Sequence, residues 1–107
     1  MDLDITASVR YLVFMNDPLS PTDARKMMAG ILEDGSVVFS KHARDEMAKD
    51  SLSHQDALNV LRGAACDPAE WENGSWRYRF RTTRMYFVIA FRSETEARVV
   101  TAWRVRR

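Results

Sequence analysis

Apolar residues recur every three or four positions through the first two thirds of the chain and every second position in the last third. That change of period predicts helices followed by strands. Residues 5–15 fit both patterns: Ile5, Val9, Leu12 and Val13 make a helical stripe, and Val9, Tyr11, Val13 and Met15 a strand. We favour a helix, broken by Asn16-Asp17-Pro18. A second helix is predicted from Ser20, with Ser20 as N-cap, Pro21 at the first helical position and Asp23 completing a capping box. Ala24, Met27, Met28, Ile31 and Leu32 form its apolar face, and Gly35 ends it. Ser36–Phe39 reads as a short strand. Ser40 then caps a helix from Lys41 to Asp50 with Ala43 and Met47 facing inward. Ser53-His54-Gln55-Asp56 is another capping box, opening a helix that carries Ala57, Leu58, Val60 and Leu61 and stops at Gly63.

From Asp67 the spacing becomes two. Asn73-Gly74 predicts a hairpin between Ala69–Glu72 and Ser75–Arg81. Two further strands, Met85–Arg92 and Ala97–Arg106, continue it as a meander. The expected class is α+β: a small antiparallel sheet packed on one face by two to three helices. The sheet would comprise three to four C-terminal strands plus one short N-terminal strand. The 107 residues suit a single domain, 1–107, with residues 1–19 as an N-terminal extension.

Composition changes this picture little: 46% of residues are hydrophobic and 29% charged, as in ordinary soluble domains. No apolar run approaches the roughly 20 residues needed to cross a bilayer. The acidic start, Met1-Asp2-Leu3-Asp4, lacks the basic and apolar regions of a signal peptide. Cys66 is the only cysteine, so no internal disulfide forms, and a reducing cytoplasm is the expected compartment.

Charge changes it more. The net charge of +1 conceals nine arginines against two acids in residues 75–107, and seven basic residues against thirteen acids before them. Alternation in residues 76–81 puts Trp76, Tyr78 and Phe80 on one face and Arg77, Arg79 and Arg81 on the other. Unbroken alternation in the last strand adds Arg98, Arg104 and Arg106 to the arginine side, with Val99, Thr101, Trp103 and Val105 opposite. The aromatic face requires the helices as cover, which leaves the arginine face open. Crowded guanidinium groups repel one another, and a polyanion relieves that repulsion through bidentate phosphate contacts. RNA is the expected partner, with Arg77, Arg79, Arg81, Arg98 and Arg104 as the binding residues. The alternative is a solvated face that protects the sheet from aggregation.

The remaining chemistry is sparse. Two histidines and one cysteine, with no H-x-x-x-H, C-x-x-C, P-loop or G-x-G-x-x-G, predict neither a metal nor a cofactor. Cys66 reads as a buried structural residue. What is left is metal-free cleavage of RNA by attack of the 2′-hydroxyl on the adjacent phosphate. That reaction needs proton carriers and cations around the phosphorane. His42, Lys41, Tyr86 and Arg79 are the candidate catalytic residues. His42 lies in the first turn of its helix, where backbone N–H groups favour an anion. Tyr78 belongs with the core and His54 with the helix surface.

The run Val37-Val38-Phe39-Ser40-Lys41-His42-Ala43, followed by Leu52–Leu61 and the strands Trp76–Arg81 and Val99–Trp103, resembles the domain of unknown function 4258 family over about residues 31–104. Ser40, His42 and Ala43 match its Ser-x-His-Ala junction. That family is similar to the RelE/ParE toxin superfamily and to MqsR-type toxins. The resemblance implies a RelE-like fold and a bacterial toxin acting as a metal-free endoribonuclease on mRNA, free or on the ribosome, with a cognate antitoxin as protein partner. ParE-like members act on DNA gyrase instead, and the absence of lysine after Lys49 departs from a lysine-based RelE site. The alternative within the same fold is a non-catalytic module that binds nucleic acid or a protein.

Overall fold

The computed structural model describes residues 18–106; the helix expected over 5–15 lies outside them. The first described helix, α1 (Pro21–Asp34), begins where Ser20 Oγ accepts the Asp23 N–H at 3.1 Å. Only this half of the expected capping box forms there. Strand β1 (Ser36–Phe39) leads through Ser40 into α2 (Lys41–Lys49), and α3 (His54–Gly63) follows. At α3 the box is complete: Ser53 Oγ accepts from Asp56 N–H, and the Asp56 carboxylate accepts from Ser53 N–H. The sheet is completed by β2 (Ala65–Cys66), β3 (Glu70–Glu72), β4 (Ser75–Arg81), β5 (Met85–Phe91) and β6 (Glu96–Arg104). Asn73 and Gly74 both take positive φ, 49° and 82°, as a tight β3–β4 hairpin requires.

The strand order is β1-β6-β5-β4-β2, with β3 pairing β4 as a separate extension. All neighbours are antiparallel except β1, which runs parallel to β6. The sheet is therefore mixed rather than antiparallel. The cause is the connection after β1: Ser40 N–H donates to Val99 O and Ser40 Oγ to Val100 O, so β1 is held beside β6 while α2 folds over that strand.

Three helices cover one face among the described residues. Ala24, Met28 and Ile31 of α1, Ala43 and Met47 of α2, and Ala57, Val60 and Leu61 of α3 meet Tyr78, Phe80, Phe87, Ile89, Val99 and Ala102 of the sheet. Tyr78 is buried in this layer, and its hydroxyl accepts the Leu19 N–H at 2.8 Å. Gly35 closes α1 for a steric reason: a Cβ there would overlap the Thr95 carbonyl, which accepts the Ser36 N–H. No helix among the described residues is long and apolar enough to cross a membrane.

Candidate nucleic-acid interface

The face that no helix covers among the described residues is built from β4 outward; its Val88 and Ala90 are buried between the longer side chains. Arg77, Arg79 and Arg81 alternate with the buried Tyr78 and Phe80. Register sets Val88 opposite Arg79 and Tyr86 opposite Arg81 on β5. On β6, Arg98 lies opposite Ala90, which places it on the same face.

Between Val99 and Thr101 the ladder slips. Ile89 pairs with Val99 and Val88 with Thr101, so Val100 is an extra residue on β6, a β-bulge. One extra residue inverts the facing of everything beyond it. Ala102, opposite Phe87, is fully buried under the helices. Trp103, opposite Tyr86, and Thr101 come to the open face. Arg104, opposite Met85, leaves it. This corrects the expected grouping of Arg104 with Arg77, Arg79 and Arg81, and of Trp103 with the covered side. Arg104 instead closes the end of α2. Its N–H donates to Asp50 Oδ2 at 2.7 Å, its Nε to Asp50 O at 3.1 Å and its Nη2 to Ser51 O at 3.3 Å. Arg106 also bridges Asp50, at 2.5 Å. These partners hold the Asp50 carboxyl below the ordinary 3.8, the Arg104 backbone N–H first among them.

The arginine row is braced rather than bare. Arg77 Nε donates to Ser75 Oγ at 2.8 Å, Arg79 bridges Glu70 at 3.2 Å and Arg81 bridges Asp67 at 2.8 Å. Four arginines on this face (77, 79, 81 and 98) thus meet two carboxylates from the β2–β3 segment. Each bridge is one contact to a group with five N–H donors, so donors remain for a ligand. Exposed pairs of this kind are worth about 1 kcal/mol or less. Arg98 has no side-chain partner among the described residues.

Beside the row, Tyr86 and Trp103 stack in parallel, with ring centroids 4.8 Å apart and planes 7° apart. Of the expected catalytic residues, Tyr86 and Arg79 share this face as diagonal neighbours. His42 and Lys41 do not join them. Their helix packs on β6 through Ala43 and Met47, on the covered side and two strands from β4. Both are exposed there, and Lys41 bridges Asp45 at 2.8 Å. Ser40 of the Ser-x-His-Ala junction caps α2 and ties it to the bulge carbonyl of Val100, a structural role.

Two further residues have a place that their sequence did not indicate. His54 stacks on Phe39 at 4.3 Å, with planes 5° apart, over a groove of about 300 Å³ that includes Ile31, Val37 and Leu58. Trp71, on the β3–β4 hairpin, is 59% exposed and meets Trp76 edge-on. Burial, then the charge of Asp67, pushes the Cys66 thiol up to about 11, which leaves it protonated and a poor nucleophile near neutral pH. Among the described residues no group of three or more His, Cys, Asp or Glu side chains is placed to hold a metal ion. Compared with known protein families, curated proteins and solved structures, the chain matches none.

Proposed function

We propose that the chain binds RNA through the open face of its sheet. The observation that carries this reading is the row Arg77–Arg79–Arg81, extended by Arg98, flanked by a stacked aromatic pair and covered by no helix among the described residues. Phosphates would take the guanidinium donors that Glu70, Asp67 and Ser75 leave open, and counterion release would make affinity fall steeply with salt. Titration of an unstructured RNA at several salt concentrations tests the reading. Each phosphate contact contributes a slope of about −0.7 in log K against log salt on a single strand. Removing Arg79 and Arg81 together should weaken binding and flatten that slope by about 1.4. Absence of binding at low salt would sink the proposal.

Cleavage of the bound strand, as in a toxin-type endoribonuclease, is the second reading, and Tyr86 is the feature that favours it. Its ring lies opposite Arg81, so a phosphate held by Arg79 and Arg81 would lie beside a phenol. The 2′-oxygen would bond to phosphorus, its proton going to solvent, while the phenol protonates the departing 5′-oxygen. The products are a 2′,3′-cyclic phosphate and a 5′-hydroxyl. Induced expression would then arrest growth and fragment mRNA. Tyr86→Phe should abolish fragmentation and His42→Ala leave it nearly intact; the reverse result would return catalysis to the α2 histidine.

A further inference from the structure

We propose that the Tyr86–Trp103 pair is a base-stacking platform, and that the ligand of this face is therefore single-stranded RNA with an unpaired base laid against Trp103. The inference rests on the RNA-binding reading above and names its substrate class.

The geometry follows from the bulge. Arg81, Tyr86 and Trp103 are consecutive cross-strand neighbours on β4, β5 and β6, so they form one row across the open face. Tyr86 covers one side of the Trp103 indole. On the other flank β1 pairs β6 only as far as Val99, so among the described residues no strand continues the row beyond Trp103. Trp103 remains partly exposed. An indole backed by a parallel ring, partly exposed and with no strand beyond it among the described residues, is a surface on which a base can stack.

Cations lie near the platform. Arg81 and Arg79 stand across Tyr86. At the ends of β5 and β6 a cleft of about 460 Å³ is lined by Thr83, Arg84, Arg104 and Val105. The Arg84 guanidinium has no partner among the described residues. A phosphate next to a stacked nucleotide would meet the Arg81 guanidinium in the same row. A base inside an A-form duplex has both its faces occupied and cannot use the indole. The Thr101 hydroxyl, on the same face and without a hydrogen-bond partner among the described residues, offers a donor and an acceptor for a ribose 2′-hydroxyl.

The test leaves the protein unaltered first. A ten-nucleotide unstructured RNA, the same sequence annealed to its complement, the DNA of that sequence, and the RNA with abasic positions are compared by fluorescence anisotropy at low salt. Single-stranded RNA should bind at least about tenfold more tightly than the duplex and than the abasic strand, as one stacked base predicts. It should also bind more tightly than the DNA. Trp103→Leu, checked for folding by its circular dichroism, should remove that preference and leave the salt slope unchanged. Equal binding of the abasic strand or of the duplex overturns the platform, and equal binding of the DNA overturns the assignment to RNA. If none of the strands binds, the failure lies with the RNA-binding reading itself.

Discussion

Arg79 and Arg104 are both arginines on strands, and their neighbours give them opposite work. Arg79 holds one carboxylate oxygen on an open face and keeps donors in hand. Arg104 spends its donors on Asp50 and on the carbonyls at the end of α2. Arg79→Ala should therefore weaken RNA binding with little change in the urea midpoint. Arg104→Ala should destabilise the fold by about 1–3 kcal/mol, because the Asp50 and Ser51 carbonyls lose a charged donor. Asp50 adds a pH dependence whose sign is fixed by its lowered folded pKa. Its contribution is fully present above the ordinary carboxylate value of 3.8 and is lost as pH falls through the lower folded value. Urea unfolding at pH 7 and at pH 3 should show this loss, and Asp50→Asn should make the acid limb shallower. An acid limb unchanged in that variant would mean that another carboxylate controls it.

At the scale of the element, β6 decides what the site contains. Its extra residue, Val100, receives the Ser40 hydroxyl on its carbonyl and turns Trp103 outward. Deleting Val100 would remove the bulge and the carbonyl that takes the Ser40 hydroxyl, while Thr101 stays opposite Val88, Ala102 opposite Phe87 and Trp103 opposite Tyr86. We expect the fold and the outward Trp103 to survive, with a loss of about 1 kcal/mol for the missing Ser40 hydrogen bond. Soluble expression and urea melts read this directly. The caps matter to a similar degree: Ser53→Ala removes one half of a complete capping box and should cost about 1 kcal/mol. Alternation in β4 was legible because nothing interrupts residues 75–81, and the row Arg77, Arg79, Arg81 stands where it was expected. Alternation in β6 misled because Val99-Val100-Thr101 is a run of β-branched residues on which a bulge leaves no mark.

At the scale of the molecule, among the described residues one side of the sheet packs under the helices and the other carries the arginine row and the Tyr86–Trp103 pair. Phe80 and Phe87 are both fully buried and pair across β4 and β5 at the centre of the covered side. Phe87→Ala should cost about 3–5 kcal/mol and lower the urea midpoint without touching any open-face residue. The acidic first part of the chain does more than balance charge. Asp67 and Glu70, reached after the helices, return to brace Arg81 and Arg79. That return reduces the net charge of the face and holds the guanidinium planes in place.

Periodicity and turn chemistry alone determined the α+β class, the three described helices with their caps, the Asn73-Gly74 hairpin and the arginine row of β4. These are local properties, set by spacing along a few residues. Tertiary structure decided the rest: the parallel seat of β1 beside β6, the bulge at Val100, the exchange of Arg104 for Trp103 on the open face, and the separation of His42 from the arginines. Each depends on which strand lies alongside which, and in what register, across some sixty residues of intervening chain. Pairing energy depends on the partner as much as on the strand, and a single sequence segment does not name its partner.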